Sequence, residues 1–229
     1  MAGDYQNVPK GRTGGYNPRT VDEDTKEIMD EARKHGQEIQ DIARQVADAV
    51  GGRVTPLNLK KADSIKRKAA KDELNPKDLT DTARTTIVVD NEEQLAAAVA
   101  MMQNSGATIT KYTNQTPQKY GGYSGHLFNI EVSGKFVGEI QINTARMIYA
   151  KEPMASAVAI LGKEGYLKAR KESGGAVGGA GHRFYEQTRS KRYENGKINK
   201  ESNAVTDRQI NREVERQKAY YRNFRSGKK

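Results

Sequence analysis

Residues 126–144 read HLFNIEVSGKFVGEIQINT, two runs of alternating side chains, His126 to Val132 and Lys135 to Ile142, separated by Ser133-Gly134. Alternation marks half-buried strands, and a two-residue link of this kind favours a tight antiparallel hairpin. With Val132 paired to Lys135, Phe128 lies opposite Glu139 and His126 opposite Gln141, so His126 shares a face with both polar residues. Along the second strand Glu139, Gln141 and Asn143 occupy one side, and Ile140 and Ile142 the other. The isoleucines are therefore predicted to be buried, leaving a carboxylate displayed beside amides.

Working outward, TTIVVD (Thr85 to Asp90) is short, β-branched and bounded by polar residues, the pattern of a buried strand. Asp90 and Glu93 fit a capping box for a helix carrying Leu95, Ala98, Val99 and Met102, and a further strand is predicted over 107–112. Upstream, Thr20 and Glu23 form a second capping box. Behind it Ile28, Ala32, Ile39, Ala43, Val46 and Val50 recur at helical spacing up to Gly51-Gly52, with a point of relaxation at Gly36. Another helix spans Ala62 to Asp72 before Pro76. Downstream, a helical pattern runs from Thr144 toward Leu161, with Pro153 as a break. SGGAVGGAG (173–181) is then a hinge or an ordered glycine loop. Thr206 caps a final helix with a narrow apolar stripe of Ile210, Val214 and Tyr221. Strands alternating with helices give an α/β class (mixed, α+β): a sheet flanked by helices, with a basic helical C-terminal tail.

Composition sets bounds on function. The chain has 229 residues, 35% hydrophobic, with 39 Lys+Arg against 29 Asp+Glu for a net charge of +10. That length holds one catalytic or binding unit with appendages. No apolar run approaches the roughly 20 residues of a membrane span. Residues 1–20 lack the apolar region of a signal peptide, so a soluble protein without a conventional export signal is expected. No cysteine is present, which excludes thiolate chemistry and sulfur-ligated metals, and the three widely spaced histidines, His35, His126 and His182, argue against zinc. From Gly181 onward fourteen basic residues face six acidic ones, so positive charge concentrates in the tail. The expected organisation is a flexible lead over 1–19, an N-terminal helix over 20–52, a catalytic body over 53–190 and a basic, partly helical tail over 191–229.

Chemistry gathers around two carboxylates. A lone Glu139 on a strand is more often a solvated face, and a lone Asp81 a turn or cap residue. Asp81 stands just before the TTIVV strand, however, and if that strand neighbours the one carrying Glu139, the pair can hold magnesium whose other positions go to phosphate oxygens and water. Lys60, Lys61, Lys66, Arg67 and Lys68 precede the acidic strand closely enough to clamp a triphosphate, although most such runs are ordinary surface charge. The loop NQTPQKYGGYSG contributes Lys119 and Tyr123. Tyr123, between Gly122 and Ser124, is either a turn aromatic or an exposed ring for stacking on a purine. His126 is either a structural hydrogen-bonding group or a contact to the transferring phosphate.

With these pieces in order the chain resembles the RelA/SpoT-like nucleotidyltransferase domain, the synthetase of alarmone metabolism. The matching segments are SIKRK (Ser64 to Lys68), DLTDTARTTIVVD (Asp78 to Asp90), PQKYGGYSGH (Pro117 to His126), GEIQINT (Gly138 to Thr144) and GHRFYEQTR (Gly181 to Arg189). They span roughly residues 55 to 190. The resemblance implies a mixed sheet flanked by helices and Mg2+-dependent transfer of the β,γ-pyrophosphate of ATP to a ribose 3'-hydroxyl. It gives Asp81 the magnesium, and Glu139 the metal or the activation of the hydroxyl. Tyr123 falls to the acceptor base, Arg67 and Lys68 to the donor-phosphate clamp, and Gln141 and His126 to the acceptor side, while Lys60, Lys66, Arg84, Lys119 and Asn143 are further candidate nucleotide-binding residues.

Three departures bear on the acceptor. Asn143 stands where the family's EIQIRT has arginine, and the loop between tyrosine and histidine is one residue shorter. The arginine expected five residues after the aspartate is Thr86, while Arg84 sits three after it. No His-Asp hydrolase accompanies the synthetase motifs, which fits a small alarmone synthetase or a toxin domain. The expectation favoured here is a toxin making (p)ppApp-type products from adenosine nucleotides in the cytoplasm of a target cell, delivered within a larger effector and met by an immunity or antitoxin protein. The alternatives are pyrophosphorylation of the tRNA 3' end, for which the basic tail would track the phosphate backbone, and (p)ppGpp synthesis. Of another class are a non-catalytic RNA-binding module and a phage structural protein.

Overall fold

The computed structural model describes residues 14–118, 120–184, 193–194, 197–198 and 204–225. Its contacts divide into two compact units, one of Met1–Val89, Glu93–Thr113 and His126–Ile142, the other of Asp90–Glu92, Asn114–Gly125 and Asn143–Lys229.

The first unit is built on a mixed sheet flanked by helices. Strands β1 (Arg53–Val54), β2 (Asn58–Leu59), β3 (Ala83–Val89), β4 (Thr108–Gln115), β5 (Gly125–Glu131) and β6 (Val137–Thr144) form it in the order β1-β3-β6-β5-β4, with β2 also pairing β3. Helix α1 (Val21–Val50) lays Ile28, Ala32, Ile39, Ala43 and Val46 against the face bearing Ala83, Ile87, Phe128, Ile130, Ile140 and Ile142. Helix α2 (Ala62–Asp72) adds Ile65 and Ala69, and α3 (Glu92–Gln103) adds Leu95, Ala98 and Met102. Leu-, Ile- and Val-sized burial at about 25 cal/mol per Å2 is what holds these layers together.

Three local expectations are corrected. Helix α1 passes Gly36 without relaxation, and a side chain there would collide with Leu57, a Cβ lying 2.7 Å from Leu57 Cδ2. Glycine at that position serves close packing. Thr20 does not close a capping box; its hydroxyl donates to Asp24 Oδ2 at 2.7 Å, and Asp24 also accepts from Asn75 Nδ2 at 3.2 Å.

The third correction is the hairpin register. Its tip is a three-residue turn, Ser133–Lys135, in which Gly134 (φ 68°) and Lys135 (φ 61°) are both left-handed, closed by Val132 N–H donating to the Phe136 carbonyl at 2.9 Å. Partners therefore become Phe128 with Ile140, Asn129 with Glu139, Leu127 with Gln141 and His126 with Ile142. Paired residues share a face. His126 consequently lies on the isoleucine side, not beside Glu139 and Gln141.

The second unit contains α4 (Ala145–Lys151), α5 (Met154–Glu172) and the final helix α6 (Ala204–Arg222). Thr144 caps α4 by accepting from Met147 N–H, and Pro153 separates α4 from α5. The segment 173–181 is an ordered loop: Gly179 N–H bonds the Tyr149 carbonyl at 3.0 Å, and Gly181 abuts Tyr221. Helix α6 starts at Ala204, not at a Thr206 cap, and its Tyr221, with Phe224 just beyond, is 1% exposed. Gly121 and Gly122 form its seat. Gly122, at φ +94°, approaches so closely that a Cβ would lie 2.8 Å from Lys218 Cα, and Arg225 Nη2 donates to the Gly122 carbonyl at 2.8 Å. Among the described residues no helix is long and apolar enough to cross a membrane.

Candidate active site

Asp81 lies two residues before β3, in the first unit. Lys60, which follows β2, anchors its N–H on the Thr82 carbonyl at 2.8 Å and so brings its ammonium to Asp81 Oδ2 at 2.7 Å. Lys68, on the last turns of α2, reaches the same oxygen at 2.9 Å. Burial by itself would push the Asp81 carboxyl up, but the Lys60 hydrogen bond and the Lys68 charge outweigh it and hold the group below the ordinary carboxylate range. The other oxygen, Oδ1, is buried and has no hydrogen-bond partner.

Glu139 projects from β6, the direct neighbour of β3 in the sheet. Helix α1 packs closely over β6 because residue 138 is glycine: a Cβ there would lie 2.7 Å from Ile39 Cγ1 and 3.1 Å from the Ala83 carbonyl. Gln141 Nε2 donates to Glu139 Oε1 at 2.7 Å, which fixes one carboxylate oxygen. Arg84 alternates with buried Ala83 and Thr85, and therefore faces the side of the sheet away from α1, as do Glu139 and Gln141. Of the sequence-predicted carboxylates, Glu139 thus stands on β6 and Asp81 in the segment leading into the neighbouring β3, with Lys60, Lys68, Arg84 and Gln141 in the same unit.

Other predicted residues are placed elsewhere. Lys66 is ion-paired to Asp22 of α1, and Arg67 is exposed. His126 is a half-buried ring stacked on Tyr112 and sharing a 2.8 Å hydrogen bond between Nδ1 and the Tyr112 hydroxyl. Burial pushes its pKa down to about 4 from 6.5, so the imidazole is neutral at pH 7. The sign of the consequence is fixed. The unfolded chain binds a proton on His126 as pH falls through 6.5 and the folded chain does not until about 4, so acid favours unfolding across that window. A His126→Gln variant is expected to lose about 2 kcal/mol less stability than the parent between pH 7 and pH 5, measured by urea denaturation at each pH.

In the second unit, Tyr123 is buried, at 8% exposure, rather than open. Its hydroxyl accepts from Asn143 Nδ2, Tyr221 meets its ring edge-on at 5.6 Å between centroids, and the Lys151 ammonium lies 5.3 Å from the ring centre. Lys119 lies outside the described residues.

Sequence reasoning missed a cavity of about 670 Å3 in the first unit, which Lys68, Asp78, Thr80 and Asn129 help to line. Asp78 Oδ2 is buried without a partner beside it. Nothing in the local pattern announces this space, because its walls come from α1, α2, the strands and the hairpin tip. Tyr112 was also missed as the support of His126, a pairing visible only once β4 lies beside β5.

No protein-family model matches the chain. It is 33% identical over 153 residues, 66% of its length, to the (p)ppApp synthetase toxin Tas1 of Pseudomonas aeruginosa (strain UCBPP-PA14). The chain matches 34% of that protein, about a third of its length. Against the crystal structure of the complex between the Type VI effector Tas1 and its immunity protein, the TM-score is 0.73 at 27% identity, covering 93% of this chain and 100% of the other. Motif order and likeness to Tas1 together place the chain in the RelA/SpoT-like nucleotidyltransferase family.

Proposed function

We propose that the protein transfers the pyrophosphoryl group of ATP to the 3'-hydroxyl of an adenosine nucleotide, giving (p)ppApp-type products, and acts as a toxin in the cytoplasm of a target cell. What carries this proposal is the pair of carboxylates, Glu139 on β6 oriented by Gln141 and Asp81 at the entry to the neighbouring β3 flanked by two lysines. The likeness to Tas1, a (p)ppApp synthetase toxin and Type VI effector, supports the adenosine acceptor, delivery within a larger effector and restraint by an immunity protein.

The donor set suits magnesium. Asp81 Oδ1 is unpartnered, Glu139 has one oxygen fixed and the other outside that bond, and the described residues contain no group of three or more ligating side chains. Two carboxylates match an ion that keeps several waters and takes the rest of its ligands from phosphate. Asp81 and Glu139 would hold it, and when bound it supplies positive charge against the donor phosphates.

The remaining chemistry falls to the chain's own groups. Glu139 accepts a hydrogen bond, and then the proton, from the 3'-hydroxyl as its oxygen attacks the β-phosphorus. The bond from the β-phosphorus to the α,β-bridging oxygen breaks, and AMP leaves with that oxygen. Gln141 keeps Glu139 in one rotamer, so the oxygen it presents is oriented before the acceptor arrives. Lys60, Lys68 and Arg84 offset charge on the transferring group.

The test incubates the protein with Mg2+ and γ-labelled ATP, adding AMP, ADP, ATP, GDP, GTP or deacylated tRNA separately. Labelled 3'-pyrophosphorylated adenosine nucleotide is the expected product. Label on guanosine nucleotides or tRNA instead would overturn the adenosine assignment, and no label on any acceptor would overturn the enzymatic one.

A further inference from the structure

We infer that Lys60 and Lys68 act as a latch on Asp81, so that the carboxylate becomes a metal ligand only after a nucleotide's phosphates have drawn the two ammonium groups away. The inference rests on the assignment of Asp81 to the metal in the proposed reaction. Both lysines converge on a single oxygen, Oδ2, at 2.7 and 2.9 Å, in a half-buried setting where charges are poorly screened. A divalent cation placed on this carboxylate would meet two positive charges within a few ångströms, for the return of one negative charge. A triphosphate reverses the balance, because it offers the lysines more negative charge than Asp81 does and brings the cation with it.

Geometry favours exchange over rigid pairing. Lys60 has its backbone pinned to Thr82, so only its flexible side chain need swing, and the Lys68 side chain is about a third exposed at the end of a helix. Asp81 Oδ1, unpartnered throughout, is left for the cation once Oδ2 is released. Each lysine therefore has two successive partners, first the carboxylate and then the donor phosphates. The site stays closed to metal alone and opens to metal with nucleotide.

The experiment titrates nucleotide-free protein with Mn2+, read by loss of the free-ion electron paramagnetic resonance signal. The parent is compared with Lys60→Met, Lys68→Met, the double variant, the same double variant carrying Asp81→Asn, and Lys60→Arg/Lys68→Arg. The double methionine variant is expected to bind Mn2+ at least about tenfold more tightly than the parent, with the gain abolished by Asp81→Asn and absent from the arginine pair. If the double variant does not melt cooperatively, either single variant is expected to show a gain of at least about threefold. Equal affinity in parent and methionine variants, still lost with Asp81→Asn, would overturn the latch and leave Asp81 as a metal ligand. Binding that never depends on Asp81 would overturn the metal assignment, and the latch with it.

Discussion

Exchanging Glu139 for glutamine is expected to lower pyrophosphate transfer by at least about 10^3-fold while leaving the fold intact. Glutamine keeps the length and shape of the side chain, and its amide oxygen still accepts from Gln141, so the β5–β6 pairing has no reason to move. What disappears is the negative charge and the capacity to take a proton. A decrease in kcat with little change in KM for ATP, in a protein with an unchanged melting curve, is the expected pattern. Retention of activity within about tenfold of the parent would remove Glu139 from the chemistry. Asp81→Asn makes a poorer test, because it strands two lysines beside a neutral amide and mixes a stability cost with a catalytic one.

A large structural effect is expected at Gly122. Alanine there must adopt φ +94° and place a Cβ 2.8 Å from Lys218 Cα, a main-chain atom that cannot rotate aside. Relief requires α6 to lift, which withdraws Tyr221 and Phe224, both 1% exposed, from their burial. The expected loss is about 3 kcal/mol or more. Gly106→Ala is the internal control, since Gly106 also has a positive φ, +77°, but nothing lies within 4 Å of its Cβ position. That variant should cost only about 1 kcal/mol of backbone strain, so the difference between the two in urea denaturation isolates the packing term. A difference near zero would mean that α6 does not depend on this seat.

Much of this was written locally in the chain. Alternation alone put Ile140 and Ile142 inside and Glu139 and Gln141 on the opposite face, because burial of β-branched side chains decides which way a strand turns. The partner of each residue was not legible. Register depended on Lys135 taking a left-handed conformation, which a lysine adopts rarely enough that no composition rule announces it, and one extra turn residue moved His126 to the far side of the sheet. Asp81 and Glu139 could be nominated from their flanking strands, whereas the capture of Asp81 by both lysines depends on how α2 and β2 end, which is a matter of tertiary packing. Tyr123 read as an aromatic among loop glycines. Its burial is due to Tyr221, far along the chain, and to the close approach those glycines allow.

The bare Cα of Gly138 ties the strand carrying Glu139 to Ile39, a residue made long before it. On the ribosome, α1 emerges with its oily stripe, finds partial cover when α2 follows, and is fully covered only once β3 and then β6 have been synthesised. Nascent chains must therefore wait with exposed grease, and contacts so distant in sequence are slow to form. No truncated product ending before β6 contains Glu139 at all, so a chain cut short there lacks one of the two carboxylates the proposed reaction uses.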